Sequence, residues 1–370
     1  MGVKSSSLSS LANELKEQEQ EQEQEENNKK NDSNNYSLRI EREKSNCIPF
    51  NCPRFNYNEK EQIKEYFNEN GYVVIKEVAN QEEIETAKQL YWNFLEKEAN
   101  MKENEIKTWK DENFVKIGST RNGILFYNGI QHSDVLWYIR CLPKVKKSFE
   151  HIYNTNNLIV SYDGGSIFRP WHLPESDTYT KTHPGWYHVD QGRLLPGFHC
   201  CQGLVTLTDV NETTGGFCCI PKSHNFHDEL IQLDKSRNPE RNYIPMPNNF
   251  QSIFNTSPEI LPLCNAGDLI LWDSRTIHCN TPSLVEPSQE FKSLLRMVCY
   301  VCMTPTSFAT PEILNQKVQL FEYSMPTNHW PHLFNGMNVE EVIKGKEKKK
   351  NIDDIPAYQR HLIQGGVDEI

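Results

Sequence analysis

The sequence predicts a mainly β domain, a sandwich or barrel, with helices packed on its outside. From Asn157 onward the apolar residues come in short β-rich runs: Leu158 to Tyr162, His199 to Leu207, Phe217 to Ile220, Leu269 to Trp272 and Leu294 to Met303, separated by Gly, Pro and Asn. Runs of that length and spacing favour a sandwich or barrel. Before Asn157 the apolar residues recur instead at helical spacing, which places helices ahead of the β region and outside it.

The elements follow in order. Met1 to Asn46 holds a Glu/Gln tract, Glu17 to Glu26, and then Asn- and Lys-rich sequence with almost nothing apolar to bury, so this tail is expected to be disordered. The 370 residues would allow two or three domains by length, but a single all-β domain often runs long, and residues 47–370 read as one folded domain. Ile63, Tyr66 and Phe67 form a helical stripe ended by Gly71, and Tyr72 to Ile75 reads as a strand. Asn80 caps a second helix with the stripe Ile84, Ala87, Tyr91, Phe94 and Leu95, and a third begins near Pro143 with Val145, Phe149 and Ile152. The polar, Pro- and Asn-rich stretch from Asn225 to Glu259 reads as a surface excursion able to cover a site, and the Lys-rich segment Lys344 to Lys350 as solvated surface.

Composition removes several classes. A formal net charge of -11 argues against a nucleic-acid surface. No apolar run approaches the ~20 residues needed to span a bilayer, and no secretory signal is present. The start Met1-Gly2-Val3-Lys4-Ser5-Ser6 fits the pattern for N-myristoylation at Gly2, but one acyl chain without a second signal gives no stable membrane anchoring. The eleven cysteines, including Cys200-Cys201 and Cys218-Cys219, lie within apolar runs and read as buried reduced thiols in a cytoplasmic protein.

The chemistry is concentrated in Gly185-Trp186-Tyr187-His188-Val189-Asp190-Gln191-Gly192. On an extended segment His188 and Asp190 point to the same face and can grip one ion. A second stretch, Gly267 to His278, supplies another histidine and completes a His-x-Asp, long gap, His pattern; read as a strand that carries His278 inward, it also turns Ser274 and Thr276 inward and Arg275 outward. Two imidazoles and one carboxylate leave coordination positions open, as in non-heme Fe(II) oxygenases, whereas a structural zinc site would be closed by four protein ligands. His183, His199, His224, His227 and Asp228 read as structural or surface residues, with His183 nearer the substrate.

These two motifs, with the intervening Thr214 to His224 segment, resemble the phytanoyl-CoA dioxygenase family of iron- and 2-oxoglutarate-dependent oxygenases, over roughly Asn70 to Pro305. The resemblance sharpens the fold to a double-stranded β-helix, the cupin-like jelly-roll barrel, with the metal inside. It implies Fe(II) on His188, Asp190 and His278, with 2-oxoglutarate and dioxygen as co-substrates. It also implies an arginine for the far carboxylate of 2-oxoglutarate on the strand after the distal histidine. Arg296 fits that place, 18 residues beyond His278 with Ser283 to Lys292 as an insertion, and Arg275 is its competitor. Asn280 shares the face of His278 and is a second candidate for the same carboxylate. The retained Asp190 points to hydroxylation, since related halogenating enzymes replace it with a small residue. Trp186, Tyr187, Arg193, Lys181 and Arg169 flank the motif and suit an anionic or aromatic small molecule or the barrel rim; no acyl-CoA signature is present. Two alternatives remain at this point: a non-catalytic metal- and 2-oxoglutarate-binding member acting through a protein partner, and a zinc-dependent cupin-like enzyme, which gives no reason for Arg296.

Overall fold

The computed structural model describes residues 45–173, 181–232, 234, 238, 240–246, 257–334 and 337–366. Gly2 and the tail lie outside these except for Ser45 and Asn46, and so does part of the Asn225 to Glu259 excursion. The described chain contains fifteen strands: β1 (Ile48–Phe50), β2 (Arg54–Asn56), β3 (Tyr72–Lys76), β4 (Ile124–Leu125), β5 (Leu158–Val160), β6 (Gly165–Phe168), β7 (His188–Val189), β8 (Cys201–Thr206), β9 (Gly216–Cys219), β10 (Ile244–Pro245), β11 (Ile260–Pro262), β12 (Leu269–Asp273), β13 (His278–Thr281), β14 (Arg296–Tyr300) and β15 (Met303–Pro305). They form two mainly antiparallel sheets. One runs β1-β11-β9-β13-β7-β10; the other runs β2-β3-β12-β8-β14-β6-β4, with β15 and β5 attached to it.

From β6 the chain alternates between the sheets. β6, β8, β12 and β14 enter the nine-stranded sheet, while β7, β9, β11 and β13 enter the six-stranded one, with β10 added at the edge of the latter between β9 and β11 in the chain. That winding is the double-stranded β-helix, mainly β with helices at its flank. The longer helices are α1 (Lys60–Asn70), α2 (Gln81–Ala99), α3 (Asp134–Arg140), α4 (Pro143–Tyr153), α5 (Pro311–Glu322) and α6 (Ala357–Gln364).

Sequence chemistry sets the helix ends. Asn80 and Glu83 form a full capping box at the start of α2, and Pro143 opens α4 at a position whose N–H has no helical acceptor. Gly71 ends α1 in the left-handed conformation at φ 76°. A Cβ there would also come within 2.5 Å of His224 and Thr276, so glycine is required twice over.

Alternation along the strands separates two apolar layers. Val73, Ile75, Leu269, Leu271, Met297 and Cys299 join residues from the helices in one core. Val74, Leu204, Ile270, Trp272 and Val298 face the other way and pack with Phe217 from the six-stranded sheet. The inner layer is where the site lies.

One expectation is corrected. Reading the chain through to His278 as a single strand that also carries Ser274 and Thr276 fails, because β12 ends at Asp273 and the chain crosses to the other sheet before β13. The Thr276 N–H closes a turn on the Asp273 carbonyl. Ser274 and Thr276 are nonetheless fully buried, donating to Gln191 Oε1 and the Gly71 carbonyl.

Candidate metal centre and active site

β7 and β13 are neighbours in the six-stranded sheet, and their register sets His188 directly opposite His278. Asp190 follows two residues after His188, with its N–H bonded to the Ser274 carbonyl. The three side chains are brought together in the interior: one nitrogen or oxygen from each lies within 4.8 Å of the others. Asp190 Oδ1 is 3.6 Å from His188 Nε2, and Asp190 Oδ2 is 3.3 Å from His278 Nε2.

The second ring nitrogens settle which atoms face inward. His188 Nδ1 lies 3.2 Å from the Trp186 carbonyl and His278 Nδ1 lies 2.9 Å from the Thr276 carbonyl. A carbonyl only accepts, so each Nδ1 carries the proton and each Nε2 keeps a lone pair toward Asp190. Burial, followed by the neighbouring His188, lowers the pKa of His278 and keeps the ring neutral. Burial pushes the Asp190 carboxyl upward; positive charge on His329 and His188 and hydrogen bonds from His188 and His278 pull it well below the usual carboxylate range, a part that a bound cation would take over once both imidazoles are neutral. Gln202 on β8 donates to Asp190 Oδ2 at 2.8 Å and fixes the carboxylate plane. Two neutral imidazole lone pairs and one oriented anion on one side of a buried point suit a divalent ion with open positions.

Aromatic rings wall this point. Trp186 stacks on His188 with 5.2 Å between centroids and 10° between planes, and Tyr243 lies 4.7 Å from His188. Phe217 and Trp272 flank His278 at 5.8 and 5.4 Å.

Arg296 begins β14 and is 1% exposed. Its Nη1 donates to Ser166 at 2.8 Å, and Phe168 lies beneath the guanidinium at 4.9 Å. Nε and Nη2 are buried with no hydrogen-bond partner among the described residues. Burial lowers the arginine's pKa, partly offset by Tyr300. A guanidinium held this way presents Nε and Nη2 side by side, the geometry in which an arginine can give a carboxylate two parallel hydrogen bonds. Asn280 donates to the Tyr300 hydroxyl at 3.4 Å, which links the inner face of β13 to β14. Arg275 is spoken for: its Nε and Nη2 form a bidentate pair with Asp273 at 3.0 and 2.7 Å.

The remaining candidates sort themselves by partner. His224 and His227 bond the Asn68 and Gln191 carbonyls at 3.0 and 2.7 Å, and both are structural. Arg169 is clamped to Asp111 and the Trp109 carbonyl, Lys181 lies over Trp171, and Arg193 pairs with Asp234. Tyr187 faces away from the triad and donates to Glu259. Gln202, Tyr243 and Tyr300 were not singled out from sequence. Of these only Gln202 left a signal, a lone amide within the apolar run His199 to Leu207.

An open two-histidine, one-carboxylate cluster inside a double-stranded β-helix defines the class of non-heme iron oxygenases. The family model for phytanoyl-CoA dioxygenase (PhyH) matches residues 67–282, and the chain belongs to that family. The match ends before Arg296. The chain is 27% identical over 286 residues to Ava biosynthesis cluster protein O of Aspergillus versicolor, covering 73% of this chain and 85% of that one. Among solved structures it is similar to the non-heme alpha ketoglutarate dependent carbocyclase SnoK from nogalamycin biosynthesis, with a TM-score of 0.47, 18% identity, and 69% and 88% of the two chains covered. It is also similar to EctD from S. alaskensis with 2-oxoglutarate and 5-hydroxyectoine, with a TM-score of 0.46, 13% identity, and 71% and 83% covered.

Proposed function

We propose that this non-heme oxygenase uses Fe(II) and 2-oxoglutarate to hydroxylate a C–H bond of a small molecule, with release of succinate and carbon dioxide. The observation that carries the reading is the set of buried donors the fold leaves unmatched: the Nε2 lone pairs and carboxylate of His188, Asp190 and His278 for the metal, and Nε and Nη2 of Arg296 for a carboxylate. When bound, ferrous iron supplies the redox chemistry with dioxygen and the co-substrate. The chain's own part is to hold and exclude. His188 and His278 present fixed tautomers, and Gln202 keeps the Asp190 carboxylate turned toward them. Arg296 would take the far carboxylate of 2-oxoglutarate through two parallel hydrogen bonds, which a lysine cannot reproduce. Asn280 stands by for the same group through Tyr300. Trp186, Tyr243, Phe217 and Trp272 keep water from the reacting face.

A zinc enzyme would use the same ligands but leaves Arg296 without a task, and a non-catalytic binder has no need of a complete triad. A relative named for a biosynthesis cluster suits a small-molecule substrate. Residues 47–370 are proposed to act as one unit. No helix among the described residues is long and apolar enough to cross a membrane, and eleven free thiols suit a reducing, cytoplasmic setting.

The test is succinate formation from 2-oxoglutarate by purified protein with ferrous iron, with and without a cell-extract metabolite fraction. Iron-dependent succinate, increased by the fraction, is the expected result. No succinate under either condition, or equal activity with zinc, would overturn the reading.

A further inference from the structure

The polar excursion after β9 returns across the mouth of the metal centre. β10 pairs with β7, with Ile244 opposite Val189 and Pro245 opposite His188, and the register carries Tyr243 to the level of Asp190 on the inner face. Three contacts hold this limb in place. Met246 N–H bonds the Tyr187 carbonyl, Asn242 Oδ1 accepts from the Gly192 N–H at 3.1 Å, and the Arg241 carbonyl passes so close to Gly192 that a Cβ there would sit 2.0 Å from its oxygen. Gly192, the last residue of the His-x-Asp motif stretch, is therefore the gap through which the limb passes.

On that limb Arg241 stands over Tyr243, with its guanidinium carbon 5.7 Å from the ring centroid, while the same ring lies 4.7 Å from His188. No carboxylate among the described residues pairs with Arg241, and the Tyr243 hydroxyl has no hydrogen-bond partner among them. On the other side of His188, Trp186 Nε1 is buried without a partner. All three groups offer protons and none offers a negative charge. We propose that Arg241 and Tyr243 form an anion subsite beside the metal centre, so that the substrate is a small organic acid whose carboxylate pairs with Arg241 and the Tyr243 hydroxyl. This rests on the oxygenase reading and adds the substrate class to it. The limb confers specificity, because a neutral analogue would forgo the charge-assisted hydrogen bonds that Arg241 gives a carboxylate.

The test uses the full chain saturated with Mn(II) and 2-oxoglutarate, so that the triad and Arg296 are already engaged. Phenylacetate and 3-phenylpropionate are titrated calorimetrically against their primary amides, which share the shape and lack the charge. The parent is expected to bind the acids at least ~10-fold more tightly than the amides, as the loss of a charge-assisted hydrogen bond implies. Arg241→Gln should bring the two to within about twofold, and Arg241→Lys should restore part of the preference. Amides that bind the parent as tightly as the acids, or a preference that survives Arg241→Gln, would overturn the proposal. The 2-oxoglutarate titration that precedes the probes separates the two readings: if the parent takes up no 2-oxoglutarate, the oxygenase reading fails, while the acid-amide comparison still reports on Arg241.

Discussion

Two groups of ionisable side chains are buried in this molecule, one between the sheets and one beneath the helices, and they differ in what their donors meet. Under the helices, Arg140 gives Nη1 to the Gln131 carbonyl and Nη2 to the Asp163 carbonyl, both at 2.7 Å. Lys317 gives its ammonium to the Val160 carbonyl at 2.6 Å, and His132 Nε2 bonds the Met325 carbonyl at 2.8 Å. Between the sheets, Arg296 uses one guanidinium nitrogen of three, and the triad turns its lone pairs toward one another. Burial and shifted pKa values are common to both groups, so neither property alone marks an active site. The first group ties helix and strand backbones together and leaves over the scattered Arg140 Nε and His132 Nδ1, whereas in the second Nε and Nη2 of one guanidinium stay unmatched side by side.

The largest separation of the two should come from Asp190→Ala. Turnover should be lost, with the melting temperature near that of the parent, because the proposed role of the carboxylate is to hold metal and not to pack the core. Iron-dependent decarboxylation that persists in this variant would remove the triad from the account.

A matched pair of arginine replacements comes next. Arg296→Lys should raise the 2-oxoglutarate concentration needed for half-maximal activity by roughly ten- to a hundredfold, the equivalent of ~1.5–3 kcal/mol, with iron still bound. Arg140→Lys should leave that requirement alone and cost about 1–3 kcal/mol of folding stability through an unmet carbonyl. Reversal of these two phenotypes would exchange the roles assigned to the clusters.

The lysine of the helical cluster gives a pH signature. Burial lowers Lys317 from its ordinary 10.5 to about 7. The unfolded chain therefore binds this proton more tightly, the penalty is at its full size below about pH 7, and it fades as pH rises toward 10.5. Measured by denaturant unfolding, the parent should gain on Lys317→Met by about 1.4 kcal/mol per pH unit across that interval. A difference that stays flat with pH would mean the ammonium is better solvated than its surroundings indicate.

The smallest effect is expected at the chain's start. Removing residues 1–44 should change neither activity nor melting temperature, since that Glu/Gln- and Asn-rich stretch has almost nothing apolar to bury. A fall of several degrees would show that the tail docks.

How far the sequence could be read followed the range of each interaction. His188 and Asp190 share a face because strands alternate, which spacing alone shows, whereas Arg296 was singled out by the family resemblance, which implies an arginine on the strand after the distal histidine. Asn80, Pro143 and Gly71 announced helix ends for equally local reasons. What escaped depends on which strands become neighbours. Gln202 reaches Asp190 from the opposite sheet, Tyr300 meets Asn280 across the interior, and Tyr243 is placed by the pairing of β10 with β7. The crossing after Asp273 was missed because its turn rests on the Asp273 carbonyl, and no Gly or Pro marks it. β6 was not anticipated either: Gly165-Ser166-Ile167-Phe168 has neither a long apolar run nor strict alternation, yet Ser166 accepts the hydrogen bond that Arg296 Nη1 donates.

The central claim is that the unmatched donors between the sheets hold Fe(II) and 2-oxoglutarate together. Anaerobic titration of 2-oxoglutarate into the Fe(II)-loaded protein, followed by visible charge-transfer absorption of the chelate, tests it directly. The account predicts a band that saturates at one equivalent of each in the parent, that needs far more 2-oxoglutarate in Arg296→Lys, and that is lost in His278→Ala. A parent without the band, or a band indifferent to both replacements, would contradict it.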